Sequence, residues 1–335
     1  VRLTSFYTAS PTCTVSRASL MTGRIPAAHG LVNQLSGVAG NYGVGLNHGE
    51  RLIPQYLKSA PTPYVTGCFG KWNIGFAAGS RPTERGFDEF VGHVSGNLDY
   101  FRHNYRERHD LYHGTKEHHR EGEYATDVFA TAAIDFISRH RRQPWFCYLP
   151  FNAPHFPVAG NKRSGESNRW QAPDWAFTEI GLSPDEPDPR KRYEAVVYAL
   201  DKAIGRVIDA VNEIEAAENT FVFFMSDNGA FRLERGGLDV GINDPLRSGG
   251  VTCWEGGLRV PAIARWPGHI TPGSVNGEML WSPDVLVACT QLAGTSPPDD
   301  NLIQGKDPLP CLTGSAGSPH ESLFFEFRQF AALRQ

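Results

Sequence analysis

A short apolar run that is followed at once by polar residues constrains the fold of this chain most strongly. Residues 221–225 read Phe-Val-Phe-Phe-Met, and Ser-Asp-Asn-Gly follows at 226–229. A continuous apolar run of this length is typical of a strand buried on both faces of a parallel sheet. Further strand-like and helical stretches alternate along the chain, at 64–69, 125–140, 145–149, 192–215, 260–265 and 283–292. The sequence therefore predicts an α/β fold in which helices cover a mostly parallel sheet.

Composition and charge exclude several classes of function. The 335 residues are 40% hydrophobic and 20% charged, with a net charge of -4. This balance gives no electrostatic footprint for nucleic acid, so we expect no nucleic-acid partner. No run of 18 apolar residues occurs, so we expect no membrane span. The N-terminus lacks a signal-peptide pattern, and we expect any such peptide to have been removed.

Polar residues follow three of the predicted strands. Lys71 comes after the first, His155 after the second, and Asp227 with Asn228 after the third. Ligands of open α/β sheets bind beyond the carboxyl ends of the strands. These side chains are therefore candidates for one common site.

Cys13 is the candidate nucleophile. It precedes a predicted helix over 14–21 that stops at Gly23, and Arg17 lies one turn along that helix. A helix N-terminus favours a thiolate or an incoming anion, and an arginine fork suits a tetrahedral oxyanion. On spacing alone, a buried cysteine and a surface arginine would explain the pair better than a catalytic role.

The wider string around Cys13 resembles a known signature. Residues 10–24 read Ser-Pro-Thr-Cys-Thr-Val-Ser-Arg-Ala-Ser-Leu-Met-Thr-Gly-Arg. They resemble the sulfatase signature, Cys-x-Pro-Ser-Arg followed by Leu-x-Thr-Gly-Arg. Further matches follow in family order, at Gly70-Lys71-Trp72, Arg85-Gly86-Phe87-Asp88, Ala153-Pro154-His155-Phe156-Pro157, Ser226-Asp227-Asn228-Gly229 and Trp254-Glu255-Gly256-Gly257-Leu258-Arg259-Val260-Pro261. The chain is similar to arylsulfatases of the N-acetylgalactosamine-4-sulfatase kind.

The resemblance implies the architecture. It predicts an alkaline phosphatase-like α/β fold, with a large mixed, mostly parallel sheet sandwiched by helices. The catalytic domain is expected over residues 1–320, and residues 321–335 are expected to open a smaller C-terminal subdomain. The family's first strand, with its paired aspartates, is expected to precede residue 1, so the chain is expected to be truncated at both ends.

The resemblance also implies the chemistry of residue 13. The family oxidises this cysteine to formylglycine, whose hydrate is a geminal diol. One hydroxyl from residue 13 would attack sulfur and expel the alcohol, and the second would then eliminate sulfate. A calcium ion would be held by Asp227, Asn228 and residue 13, because oxygen ligands suit a hard cation.

Three more residues carry over as catalytic by resemblance. Arg17 would anchor the diol of residue 13, and Lys71 would hold a sulfate oxygen. His155 would contact the bridging oxygen and protonate the leaving alcohol.

The sequence departs from the family pattern inside the motifs. Val15 replaces the usual Pro or Ala, so conversion of Cys13 is not assured. Asn73 replaces a histidine, and it can hydrogen-bond sulfate but cannot shuttle a proton. Gly250 stands where the family has a second sulfate-binding lysine, and Arg247 is the nearest substitute.

The polar segment 102–123 is rich in histidine and is predicted to be a loop. It reads either as a solvated surface loop or as a wall of the substrate cleft. Because 99–103 resembles a family stretch near the pocket, His103 is the candidate substrate contact. The spacing of the histidines gives no support for a zinc site.

These features predict a sulfuric ester hydrolase that acts on a sulfated carbohydrate or an aryl sulfate. A formylglycine-generating enzyme would be its partner, and a periplasmic or secreted location is expected. A degenerate, non-catalytic binder of sulfate or glycan is the alternative. A phosphoryl-transfer relative is a third possibility, which Cys13 disfavours.

Overall fold

The computed structural model describes residues 1–35, 45–157, 170–232, 239–298 and 302–335. Its helices are α1 Cys13–Thr22, α2 Pro26–His29, α3 Ile53–Lys58, α4 Ala125–His140, α5 Asp174–Glu179, α6 Pro189–Asn212, α7 Glu255–Leu258, α8 Asp284–Leu292 and α9 Leu309–Leu312. Its strands are β1 Arg2–Leu3, β2 Phe6–Tyr7, β3 Val65–Lys71, β4 Glu89–His93, β5 Asn104–Tyr105, β6 Arg108–His109, β7 Tyr112–His113, β8 Lys116–Glu117, β9 Trp145–Tyr148, β10 Val222–Met225, β11 Ala262–Arg265, β12 Val275–Asn276, β13 Leu280–Trp281, β14 Leu323–Phe327 and β15 Phe330–Arg334.

The strands form two main sheets. One has the order β8-β7-β4-β3-β9, and its centre is parallel, with β3 between β4 and β9. The other has the order β10-β11-β1-β12, in which only β1 and β12 are parallel. The α/β class is confirmed, with mixed sheets.

The expectation that the 221–225 run is buried on both faces is wrong. β10 pairs antiparallel with β11, and Phe224 lies opposite Ile263. Phe224 is 40% exposed and Ile263 is 47% exposed, so one face of this sheet is open in the described residues. The unbroken apolar run identified the strand, but such a run does not specify what covers each face of the sheet.

Helices α4 and α6 pack against each other beside β3. In the sequence, helical spacing over 192–215 puts Val197, Leu200, Ile204, Val207, Val211 and Ile214 on one apolar stripe. Val211 is buried, but Val197 is 39% exposed, and the buried face is instead built from Ala195, Val196, Ala199 and Ala203. Alanines allow close approach of the two helices, which a count of large apolar residues overlooks.

The predicted loops contain more regular structure than expected. Segment 102–123 includes the short strands β5 to β8. Segment 158–190 includes α5, although 158–169 lies outside the described residues, as does 233–238 in the glycine-rich segment 229–257. All six cysteines are described, and all are free thiols.

The C-terminal residues form a hairpin of β14 and β15. Phe325 packs on Tyr7, with ring centroids 5.8 Å apart, and on Trp281 at 6.2 Å. The hairpin therefore packs on the core around Tyr7 and Trp281, and a subdomain boundary at residue 320 stays a prediction. Within the described ranges, the helices are too short or too polar to cross a bilayer.

Candidate active site

Helix α1 presents Cys13 at its first turn. Thr12 precedes it in extended conformation, and Gly23 ends the helix in the left-handed region. The thiol of Cys13 is buried and donates to Oδ1 of Asn228 at 3.4 Å. Oε1 of Gln34 accepts from the Thr14 amide at 3.0 Å and so satisfies one of the free N–H groups of the helix start.

One turn along α1, Arg17 forms the centre of the site. Its Nε and Nη2 donate to Oδ2 of Asp227 at 3.0 and 2.7 Å. Its Nη1 donates to the Lys71 carbonyl at 2.9 Å and to the Tyr148 hydroxyl at 3.3 Å. Nζ of Lys71 lies 3.9 Å from the same Asp227 oxygen. Two cations thus share one carboxylate oxygen.

Burial strengthens these interactions. Burial by itself would raise the pKa of Asp227, but Arg17 and Lys71 hold it down to about 2. Burial opposes the charged form of Arg17, yet Asp227 keeps the pKa of the guanidinium above its ordinary value. Arg17 and Asp227 are therefore both charged at neutral pH. Together with Lys71 they form the Arg17 triad, whose formal charges sum to one positive unit.

Lys71 is positioned by the end of β3. Gly70 has φ 130°, and a Cβ there would lie 2.2 Å from the Pro150 carbonyl oxygen. The absence of a side chain lets the chain pass this carbonyl, which accepts from the Lys71 amide at 2.7 Å. The Lys71 side chain is consequently held in the interior, 2% exposed.

Asp227 is positioned by the turn after β10. Its backbone carbonyl accepts from the Thr8 hydroxyl at 2.9 Å. The side-chain nitrogen Nδ2 of Asn228 donates to the Gly229 carbonyl, so Oδ1 of the same side chain faces Cys13. The polar residues after β3 and β10 therefore meet, as their places after predicted strands suggested.

His155 follows β9 and is held from both sides. Tyr100 donates from its hydroxyl to the His155 carbonyl at 2.8 Å. Nδ1 of the ring lies 2.7 Å from the Phe156 carbonyl, so Nδ1 carries the proton and Nε2 has the lone pair. Burial, together with the nearby charge of Lys71, lowers the pKa of His155 to about 4. The ring is therefore neutral at neutral pH in the absence of a bound anion.

Asn73 is buried with φ 57°, a conformation that Asn tolerates better than most residues. Neither atom of its amide has a hydrogen-bond partner within the described ranges. An unpaired buried amide costs about 1–3 kcal/mol. A ligand that hydrogen-bonds this amide would recover that energy.

The two other predicted substrate contacts lie outside the Arg17 triad. His103 is fully buried, and its Nε2 donates to the Glu123 carbonyl at 3.0 Å. Arg247 is exposed, and its guanidinium stacks on Trp254 at 3.6 Å from the ring centroid. In the part of the chain that the structure describes, neither contacts Arg17, Lys71 or Asp227.

Gly250 has no space for a side chain. A Cβ there would lie 2.6 Å from the Phe231 ring and 2.7 Å from the Gly229 carbonyl oxygen. Lysine at this position would require Phe231 to move. The neighbouring Val251 adopts φ 63°, and its amide donates to the Pro11 carbonyl at 3.0 Å, beside Cys13.

Two residues at this centre, Tyr148 and His93, were not identified from the sequence. Tyr148 touches Arg17 from the end of β9. His93 is fully buried, and burial together with the charges of Lys71 and Arg17 holds its pKa well below the usual value. Both lie at the ends of strands without a motif to mark them, and the register of β4 opposite β3 brings His93 beside Lys71.

The donor set is compatible with a hard cation. Asp227 and Asn228 offer carboxylate and amide oxygens next to residue 13, and Oδ1 of Asn228 accepts only a weak thiol hydrogen bond. Calcium takes six to eight oxygen ligands, so these residues would supply part of its shell. The oxygen atoms of Asp227 and Asn228 therefore suit calcium chemically, and further oxygen ligands would be needed to complete its shell.

Comparison with known proteins gives a consistent result. The family model described as Sulfatase matches residues 1–292. N-acetylgalactosamine-6-sulfatase from Homo sapiens is 32% identical over 331 residues, covering 92% of this chain and 58% of that relative. Arylsulfatase A from Homo sapiens is 30% identical, covering 97% of this chain and 63% of that protein. The chain thus spans about three fifths of the length of these relatives.

Solved structures agree with these matches. The crystal structure of Ps i-CgsB has a TM-score of 0.85 at 28% identity and covers 100% of this chain and 74% of that chain. The PsFucS1 sulfatase from Pseudoalteromonas sp. has a TM-score of 0.76 at 28% identity, covering 99% and 68%. The motifs suggested a 4-sulfatase subgroup, whereas the curated relatives described above are named 6-sulfatase and arylsulfatase, so the subgroup stays a prediction.

Proposed function

The chain belongs to the sulfatase family, and from this premise we propose that it hydrolyses sulfate esters at the centre formed by Cys13, Arg17, Lys71, His155 and Asp227. The observation that carries the proposal is the convergence of Arg17 and Lys71 on Asp227, beside the helix start that holds Cys13. Residues 13, 71 and 227 are far apart in the sequence. Charged side chains that interact only with solvent would lie apart on the surface, whereas these converge in one buried cluster.

The charge of the centre suits a sulfate ester. A sulfate monoester carries one negative charge, and the triad of Arg17, Lys71 and Asp227 carries one net positive charge. The N-terminus of α1 adds a partial positive charge and free amide groups. The triad alone would therefore compensate the charge of the bound anion, and a calcium ion would add further positive charge beside it.

Residue 13 would supply the nucleophile. When it is converted to formylglycine, its hydrate offers a hydroxyl oxygen in place of the thiol. A calcium ion held by Asp227 and Asn228 would act as a Lewis acid toward oxygen atoms. Arg17 would orient residue 13 from the next turn of α1, and Lys71 would hold a sulfate oxygen by charge and hydrogen bonding.

His155 would protonate the leaving alcohol. With a pKa of about 4 it is neutral before substrate binds. A bound sulfate anion beside the ring would raise that pKa, because an opposite charge favours the imidazolium. Nδ1 is committed to the Phe156 carbonyl, so the transferable proton would be on Nε2. Protonation of His155 is thereby coupled to binding of the anion.

The substrate class is a sulfated carbohydrate or an aryl sulfate. The names of the relatives support both, and the crystal structure of Ps i-CgsB was also solved in complex with k-i-k-neocarrahexaose. A formylglycine-generating enzyme would be the partner that modifies Cys13. The family resemblance favours a periplasmic or secreted location.

A non-catalytic binder of sulfated glycans is the alternative, and Gly250 favours it. No lysine can stand at this position without movement of Phe231, so one expected sulfate contact is lost. The unpaired amide of Asn73 is compatible with both functions, because it can donate to a bound sulfate in either.

The test is turnover of a chromogenic aryl sulfate by protein produced together with a formylglycine-generating enzyme. We expect sulfate release that Cys13→Ala abolishes, and that Lys71→Met reduces by at least a hundredfold. Lys202→Met is the matched control, because Lys202 is an exposed lysine on α6, outside the triad and the predicted substrate contacts. Binding of a sulfated glycan that survives Cys13→Ala, without release by the converted wild type, would favour the binder instead.

A further inference from the structure

The segment 102–123 brings three potential metal ligands together that are scattered in the sequence. Ligand atoms of His109, His119 and Glu121 all lie within 4.8 Å of one another. Oε1 of Glu121 is 3.0 Å from Nδ1 of His119 and 3.7 Å from Nδ1 of His109. A tetrahedral zinc ion with bonds of ~2.1 Å separates its ligand atoms by about 3.4 Å. The observed distances lie on both sides of that value, so small side-chain rotations would complete the geometry.

The backbone of the segment holds this arrangement. β7 and β8 form a hairpin around Gly114, which has φ 61°, with Tyr112 opposite Glu117. The His118 amide donates to the Leu111 carbonyl at 2.9 Å, which returns the chain beside β6. His119 therefore lies against His109, with ring centroids 4.4 Å apart.

The tautomer of His109 points to a ligand. Its Nε2 lies 3.0 Å from the Leu111 carbonyl and 3.1 Å from the His118 carbonyl. Carbonyl oxygens only accept, so Nε2 carries the hydrogen and Nδ1 keeps a lone pair that faces Glu121. Metal-binding histidines are commonly fixed by such a contact of the other ring nitrogen.

His119 can be oriented in the same way. Oε2 of Glu117 lies 3.6 Å from its Nε2, on the side away from Glu121. In this structure Nδ1 of His119 donates to Oε1 of Glu121 at 3.0 Å. An ion bound at Nδ1 would replace that hydrogen, and after a small rotation the ring hydrogen would be on Nε2 and be donated to Glu117. Glu117 would then support the site without binding the metal directly.

From this geometry we infer that His109, His119 and Glu121 bind a divalent transition-metal ion of the zinc type. Two imidazoles and one carboxylate suit such an ion, whereas calcium prefers oxygen ligands alone. Three protein ligands leave one position for water. The ion would join β6 to the residues after β8 and is independent of the cation expected at Asp227.

The test is isothermal titration of metal-stripped protein with Zn²⁺ in the presence of excess Ca²⁺. We expect one Zn²⁺ bound per chain, and Co²⁺ in its place should give the visible absorption typical of tetrahedral coordination. His119→Ala and Glu121→Gln should each weaken Zn²⁺ binding by at least tenfold, since each removes a ligand.

His113→Ala is the matched control, because His113 is an exposed histidine of the same hairpin that lies outside the cluster. It should leave the affinity unchanged. Absence of Zn²⁺ binding to the wild type, or equal losses in His113→Ala and His119→Ala, would overturn the inference. Both ligand variants replace exposed side chains, so circular dichroism should match that of the wild type.

Discussion

The proposed catalytic centre around Arg17 and the histidine cluster of residues 109–121 both bring cations and carboxylates together, but they do so in opposite ways. Arg17 and Asp227 are 210 positions apart in the sequence, and their side chains are 7% and 26% exposed. His119 and Glu121 are two positions apart, and theirs are 61% and 51% exposed. The first interaction exists only in the folded chain, whereas the second can form locally.

This difference in burial decides how much each cluster contributes to the stability of the fold. A buried charge that loses its partner keeps its desolvation cost, so the Arg17 centre depends on every member. Exposed ion pairs contribute little, because water and salt screen them. The histidine cluster therefore needs an added ion to become a strong interaction, and the Arg17 centre does not.

The largest effect is expected when the buried carboxylate is neutralised. Asp227→Asn keeps the shape of the side chain but leaves Arg17 and Lys71 without a counter-charge. We expect the free energy of unfolding to fall by about 3–5 kcal/mol in metal-free protein. Urea denaturation measures it, and a loss below about 1 kcal/mol would show that water already screens the centre.

The second-largest effect is expected on acidification, which should lower the free energy of unfolding through two buried histidines. His155 and His29 have pKa values of about 4 in the folded chain, against 6.5 ordinarily, with burial as the main cause. A lowered histidine pKa stabilises the fold above pH 6.5, and this contribution is lost as the pH falls toward 4. Each residue should therefore remove about 2 kcal/mol of unfolding free energy between about pH 7 and pH 5.

Denaturation of His155→Asn over that pH range tests this expectation. The variant should lose about 2 kcal/mol less than the wild type on acidification. His119→Ala, in the exposed cluster, should keep the wild-type loss. An unchanged acid dependence in His155→Asn would contradict the assigned protonation state of the buried ring.

A moderate effect is expected at Val251, in the segment that contacts Pro11 beside the centre. A β-branched residue in the left-handed region costs roughly 1–2 kcal/mol, and Val251 has φ 63°. Val251→Gly should raise the free energy of unfolding by up to about 1 kcal/mol after its entropic cost. Val32→Gly, at another exposed valine, should lower it, and equal losses in both would argue against strain.

The smallest effect is expected from an ion pair beside the histidine cluster. Arg120 and Glu123 are both largely exposed, and their contact is local. Glu123→Gln should change the free energy of unfolding by less than about 0.5 kcal/mol. A loss comparable to that of Asp227→Asn would remove the distinction between the two regions.

Much of the centre could be predicted because each polar residue follows a strand or starts a helix. Strand ends identify where Lys71 and Asp227 lie, and the signature string identifies Cys13 and Arg17. Residues such as His93 could not be found, because their place depends on strand register across the sheet. The expected double burial of Phe224 failed for a related reason, since an apolar residue does not specify what covers it.

The histidine cluster, by contrast, could not be predicted from the spacing of its residues in the sequence. His109, His119 and Glu121 have no regular spacing, and only the turn at Gly114 brings them together. Sequence spacing gave no support for a zinc site there, and the inferred site rests on the hairpin geometry instead. The role of His103 as a substrate contact stays a prediction, with its Nε2 on a backbone carbonyl.

The most direct test of the catalytic centre compares the chemical state of residue 13 with turnover in the same preparation. Protein made with increasing amounts of a formylglycine-generating enzyme would be analysed by mass spectrometry of the Cys13 peptide and by sulfate release from an aryl sulfate. We predict that the rate rises in proportion to the formylglycine fraction from a value near zero. Complete conversion of residue 13 without sulfate release would contradict the assignment of this centre as a sulfatase active site.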